Sequence, residues 1–225
     1  MIKNRYPFLL LLFVIVISAC TKFQPGDEVF DVVVSSDCSA PCWREITPGI
    51  TSFDEAWEIA QNMALKDSAT SDPVPDKIDK DILDRNFVID FNKVGVLITP
   101  NSQGIINEIG FTFHRQYWDE PKLSDLIKVY GNPVSVDMCH EEIEIRRVVV
   151  WIRYPNVYLM FSQKLPVEGD SFAVHVQKDT RIENITFTSP DVDVPIHDFM
   201  FPWIDYGDFT IIPAERNPLS TCPYP

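Results

Sequence analysis

The 225-residue chain contains none of the short patterns that announce a reaction. A Gly-x-Ser-x-Gly elbow, a Ser-x-x-Lys pair, a His-Glu-x-x-His helix and a phosphate loop are all missing. Nothing at motif level therefore supports hydrolase, metalloprotease or nucleotide chemistry, and the expectation is a non-enzymatic protein without a cofactor. Positive charge is also scarce: 19 Lys and Arg stand against 33 Asp and Glu, a formal charge of -14. Phosphate backbones and anionic head groups repel such a chain, so nucleic acid is not expected as a partner. The acids are spread along the chain rather than gathered in a tail, as on a solvated surface. Apolar residues make up 45% and aromatics 12%, which suits a packed core and argues against disorder.

The first acid is Asp27. Before it, Lys3 and Arg5 precede an unbroken apolar run from Phe8 to Ile17, and Ser18-Ala19 follow as small residues. That order is the order of an export signal. The run is shorter than the roughly 20 residues a spanning helix needs. Ile17-Ser18-Ala19-Cys20 resembles the lipobox of bacterial lipoproteins. The resemblance implies a signal peptide over 1–19, cleavage before Cys20, and acylation of Cys20 as the new N-terminus. It also implies a place in the cell envelope, held by that lipid to the extracytoplasmic face of a membrane. Two or more acyl chains on one residue anchor stably where a single chain binds reversibly. Losing Lys3 and Arg5 with the signal moves the formal charge from -14 to -16.

Lipid on Cys20 leaves Cys38, Cys42, Cys139 and Cys222 in an oxidising compartment, where disulfides persist. Four cysteines allow three pairings. Cys38–Cys42, a tight loop around Pro41, together with Cys139–Cys222 is the favoured set. The long closure would contribute on the order of 4 kcal/mol by restricting the unfolded chain. The alternative use of Cys38 and Cys42, with His140, is a metal site, but the paired Cys-x-x-Cys knuckles are missing.

Residues 20–36 read as a lipidated stalk. Pro48-Gly49-Ile50-Thr51 is a turn, and Ser52-x-x-Glu55 a capping box opening a helix. Phe53, Ala56, Trp57, Ala60 and Ala64 form its inward stripe. Residues 66–86, with Ser, Pro and Asp and little period, read as an exposed loop. Strands are expected at Phe87–Phe91, Val94–Thr99 and Ile105–Phe113, with Asn101-Ser-Gln-Gly104 as a turn. A second helix follows, with Pro121 early in it, Leu123, Leu126, Ile127 and Tyr130 as its stripe, and Gly131 and Pro133 ending it. Further strands are expected at Val134–Met138, Ile145–Tyr154, Val157–Phe161, Phe172–Val176 and Ile182–Thr188. The Pro- and Asp-rich segment beyond Pro190 reads as an irregular strap.

Helix then antiparallel strands, twice, predicts an α+β fold of two tandem helix-plus-antiparallel-sheet units, helices packed on a sheet. The first unit takes 37–118 and the second, with its C-terminal strap, 119–225. Pro48-Gly49-Ile50-Thr51, and Leu123-Ser-Asp-Leu-Ile-Lys-Val-Tyr-Gly-Asn-Pro133, resemble the helix motifs of β-lactamase-inhibitor-like modules and of small outer-membrane assembly lipoproteins. Each copy carries half of the pattern, and such motifs encode turns rather than chemistry.

Histidines 114, 140, 175 and 197 are scattered. Cys139-His140-Glu141-Glu142 reads as a solvated turn beside a disulfide. Asp191, Asp193, Asp198, Asp205 and Asp208 are dense, but without the glycine and glutamate of a calcium loop. The aromatic run through Phe199, Phe201, Trp203 and Tyr206, with Tyr117-Trp118 elsewhere, is the strongest interface signal, although core packing is the better explanation of such residues. The expected function is a membrane-anchored, non-enzymatic interaction module for an envelope protein. The alternative is a solute- or metal-binding envelope lipoprotein, for which the chain is short and without a visible hinge. A deep apolar pocket with convergent polar groups would favour ligand binding; a flat aromatic face would favour a protein partner.

Overall fold

The computed structural model describes residues 28–34, 38–65, 73–81, 86–114, 120–142, 146–165, 172–192 and 199–211. The expected signal peptide, Cys20, Cys222, Tyr117-Trp118, Asp193, His197 and Asp198 lie outside the described residues. No helix among the described residues is long and apolar enough to cross a membrane.

Two tandem helix-plus-sheet units do not form. Among the described residues, eleven strands and three helices make a mostly β architecture built on one nine-stranded antiparallel sheet, in the order β1-β2-β3-β4-β9-β7-β6-β5-β10. The strands are Lys77–Asp81 (β1), Asn86–Phe91 (β2), Val94–Pro100 (β3), Ile106–Phe113 (β4), Ser135–Glu142 (β5), Arg146–Tyr154 (β6) and Val157–Lys164 (β7). Phe172–Val176 (β8), Asn184–Thr188 (β9), Phe199–Pro202 (β10) and Gly207–Ile211 (β11) complete them, and β8 pairs with β11 as a separate two-stranded ribbon. The physical reason for the single sheet is β9. It does not close a second unit but pairs with β7 on one side and β4 on the other, Phe111 opposite Ile185. Both neighbours would otherwise leave an unpaired row of N–H and C=O groups.

Helix α1 is Glu28–Val33, α2 Phe53–Leu65 and α3 Leu123–Tyr130. Ser52 and Glu55 close the expected capping box: Ser52 N–H donates to Glu55 Oε2 at 2.9 Å and Glu55 N–H to Ser52 Oγ at 3.3 Å. The backbone bond from Ser52 holds the Glu55 carboxyl below its ordinary pKa. Buried Ala56, Ala60 and Met63 seat α2 on the sheet, Met63 taking the inward place expected of Ala64. Phe53 and Trp57 meet Phe87 edge-on, at 5.6 and 5.3 Å between ring centres. Pro121 sits before α3 rather than in it, and Lys122 at the N-cap gives no side-chain bond. The first N–H groups of α3 go instead to carbonyls of the chain entering β9, Leu123 to Thr180 at 2.8 Å and Ser124 to Lys178 at 3.0 Å.

The core lies on the face the helices cover. Phe87, Ile89 and Phe91 of β2, Val148, Val150 and Ile152 of β6, and their neighbours alternate inward at the period of two. Four expectations change at the ends of elements. β1 forms inside the expected 66–86 loop, Ile78 opposite Ile89, with Lys77 and Asp79 ion-paired along the sheet edge. Part of the expected stalk is α1, fastened by the indole of Trp43, which donates to Val32 O at 2.6 Å within the core. The Cys139–Glu142 stretch continues β5 instead of turning. The strap contains β10 and β11.

Replacing Ser52 by Ala removes the α2 cap. The expected loss is about 1 kcal/mol, read as a lower urea midpoint at unchanged m value.

Candidate functional site

One end of the sheet gathers elements from every part of the chain. An aromatic series leads there through the core. Trp43 meets Phe111 at 5.5 Å, Phe111 meets Phe187 at 5.1 Å, Phe187 meets Tyr130 at 6.2 Å, and Tyr130 meets Tyr154 at 5.8 Å. All four contacts are edge-on, the arrangement that aromatic quadrupoles favour. Beside its last two rings opens a cavity of about 450 Å³. Its walls are Val33 at the end of α1 and Val34 after it, the Cys38–Cys42 loop, Val129 and Tyr130 of α3, and Tyr154 and Phe187 from the sheet. Cys38 and Cys42 are disulfide-bonded, with Cα atoms 5.7 Å apart, so the loop is a covalently closed wall. None of the described lining residues carries a charge. The hydroxyls of Tyr130 and Tyr154 are shut off from solvent and have no hydrogen-bond partner. Burial pushes both phenols far above the ordinary tyrosine pKa, so they stay protonated as donors.

The predicted aromatic run borders this end. Phe201, Trp203 and Tyr206 are half-buried and pack against the core, Phe201 on Phe209 at 5.7 Å and Trp203 on Tyr206 at 5.7 Å. The backbone of Phe199 pairs with Met138. Trp203 N–H donates to Val134 O at 3.1 Å, which brings the run against the chain leaving α3. Burial and the Asp205 carboxylate raise the Tyr206 phenol, and Lys128 of α3 partly offsets them. The residues that face water are others: Ile204 is 79% exposed, Val134 62%, Met200 53% and Val129 43%. Sequence reasoning selected the rings and missed these exposed aliphatic residues, because a single aliphatic side chain carries no local signature of exposure. Tyr130 was legible only as part of a helix stripe, and Tyr154 only as the end of a strand.

Two charged clusters lie elsewhere. On the face of the sheet opposite the helices, Asp137 is fully buried, accepting from Arg153 Nη1 at 2.8 Å and from Ser135 Oγ at 3.1 Å. A cavity of about 480 Å³ holds Ser162, His175, Glu120 and Arg181 at its rim. His175 Nδ1 lies 2.7 Å from Asp208, joining β8 to β11, and Ser162 Oγ donates to Glu183 at 2.8 Å. Ser162 thus gives its proton to a carboxylate rather than to the imidazole, and both His175 and Asp208 are half exposed or more. That pair reads as a solvent-screened clasp. No group of three or more metal-type ligands comes together among the described residues. Cys139 is disulfide-bonded and buried; its expected partner Cys222 lies outside the described residues.

No family model matches the chain, and no curated protein or solved structure is similar to it.

Arg153→Met is expected to destabilise by about 3 kcal/mol, because it leaves the buried Asp137 carboxylate uncompensated. Asp137→Leu combined with Arg153→Met should recover most of that loss. Urea unfolding of the two single variants and the double variant measures the coupling.

Proposed function

We propose that this protein is a non-enzymatic interaction module, anchored to the extracytoplasmic face of an envelope membrane through lipid on Cys20, that docks an envelope protein. The observation that carries the reading is the exposed apolar pair Val134 and Ile204 beside the half-buried Trp203 and Tyr206: Ile204 follows Trp203 in the chain, and Trp203 N–H donates to Val134 O. Aliphatic side chains scattered singly on a surface mean little, whereas a group beside anchored aromatic rings is the composition of an interface centre. Two further features suit it. The rings are already held by Phe209 and by each other, so docking freezes few rotamers. The strand that carries Met200 stands at the end of the sheet order, and Phe199–Pro202 contains no charged residue to guard it. The opposite edge strand, Lys77–Asp81, is charged at four of its five positions.

Crosslinking the native protein in its own membrane is expected to capture one specific envelope protein. Ile204→Asp should abolish capture while leaving the fold intact, since the side chain it replaces is mostly in water. Phe201 is unsuitable as the control, because its loss would open the contact with Phe209. Capture that survives both Ile204→Asp and Val134→Asp would refute this docking face.

The anchor has its own measurement. Intact mass of the exported protein should show loss of residues 1–19 and a gain of acyl mass. Cys20→Ser should remove the acyl mass, and an unmodified Cys20 in the native protein would overturn the anchored reading.

A further inference from the structure

We propose that the segment 212–225, which follows β11, docks across the face of the sheet opposite the helices. A Cys139–Cys222 disulfide fastens it there, and it covers a patch made by Val149, Trp151 and Met160.

Burial on that face is uneven. On β5 and β6, Ser135 is 7% exposed, Asp137 0%, Cys139 2% and Val149 6%. On β2 and β3, Val88 and Leu97 are each 39% exposed. Cross-strand partners share a face, and they run unbroken from Val88 through Leu97, Gly110, Thr186, Tyr158 and Arg153 to Ser135. One half of a single face is therefore in water and the other half is enclosed. The three helices and the β8–β11 ribbon do not enclose it, because their buried apolar side chains belong to the main core on the other face. Cys139 and Val149 form a separate cluster, with half-buried Trp151 and Met160 packed against it.

Cys139 identifies the cover. It is disulfide-bonded, and Cys38 and Cys42 are bonded to each other. Five cysteines then leave only Cys20 and Cys222 to partner it. Lipid on Cys20 leaves Cys222, and this step alone rests on the anchored reading. The bond forms by exchange: the two thiols give up two protons and two electrons to a disulfide-bearing oxidant, which leaves as a dithiol.

Reach and composition agree. Phe209 of β11 packs on Phe201 of β10, and β10 is the edge strand paired with β5, so the segment starts beside the edge it must round. The eleven residues from Ile212 to Cys222 extend up to about 36 Å, against the roughly 10 Å that separates the two faces of a sheet. Pro213, Pro218, Pro223 and Pro225 have no N–H to give to a strand ladder, which favours lying across the sheet over extending it. Leu219 and Tyr224 flank Cys222 and match the apolar patch in chemistry.

The first measurement is a peptide map of the native protein, alkylated before digestion and never reduced. The expected result is one Cys139–Cys222 linked pair in monomeric protein, together with acylated Cys20. Alkylated Cys139 beside acylated Cys20 would overturn this proposal and leave the anchor standing. A Cys139–Cys20 link would overturn both. A Cys139–Cys222 link beside unmodified Cys20 would support the strap and overturn the anchor. A link found only in covalent dimers would place the segment on a second copy and sink the proposal.

Hydroxyl-radical footprinting then tests the cover in the full chain. In Cys222→Ser, oxidation of Trp151 and Met160 should rise several-fold, while Trp57 and Met63 on the helix side stay at native levels. If those two rise as well, the variant has unfolded, and Leu219→Ser with Tyr224→Ser decides instead, since it keeps the bridge. Native-level oxidation of Trp151 and Met160 in a folded variant would show that another part of the chain encloses this face.

Discussion

The pairing of β4 with β9 is the constraint on which the rest of the structure depends. Glu108–Thr112 runs antiparallel to Asn184–Thr188, and through it the four early strands and the five later ones become one sheet. Nothing local demands the contact, since its two strands are separated by α3, three sheet strands and β8. It forms because both strands present an alternating apolar face to the same core: Ile109 and Phe111 on one, Ile185 and Phe187 on the other, all buried. Pairing removes two backbone edges from water and brings Phe111 within 5.1 Å of Phe187, so hydrogen bonding and aromatic packing reinforce each other.

The cavity end of the sheet follows from that seam. Phe187 touches both Phe111 and Tyr130, and Tyr130 touches Tyr154, so the seam sets where α3 and the end of β6 meet. Trp43 joins the same series and reaches α1 through its indole N–H. A six-residue helix and a five-residue disulfide loop would have few reasons of their own to hold a position. Packed against the aromatic series they become two walls of a cavity. The exposed cluster around Trp203 depends less directly on the seam, through the pairing of β10 with β5 and the bond from Trp203 to Val134. The face proposed for docking and a small uncharged cavity therefore lie toward one end of the sheet.

The opposite face of the sheet tells a contrasting story about charge. Asp137 alternates with buried Val136 and Met138 and so points away from the main core, yet it is fully enclosed and held by Arg153 and Ser135. A buried ion pair adds little net stability, but losing one partner is costly. Its consequence is specificity of register: a one-residue slip of β5 against β6 would turn Asp137 into the main core and Val136 out of it.

How much was legible can be traced to particular residues. The α2 stripe, the box of Ser52 with Glu55, and the α3 stripe ending at Gly131 all act within a few residues of themselves. Their hydrogen bonds and periodicities are complete inside a short window, so the sequence by itself determined them, along with most strand cores from Phe87 to Thr188. β1 was hidden because Lys77-Ile-Asp-Lys-Asp81 has one apolar residue and is a strand only by pairing with β2. The N-terminus of α3 is satisfied by Thr180 and Lys178 rather than by a side chain beside it, so its start was misplaced. The strap became β10 and β11 because β5 and β8 had edges to offer. One sheet instead of two units, the meeting of Tyr130 with Tyr154, and the closing of α1 and the disulfide loop over them were decided by tertiary structure alone. Each is a choice among partners distant in the chain, and that choice is made by which apolar faces and backbone edges remain uncovered once the local elements exist.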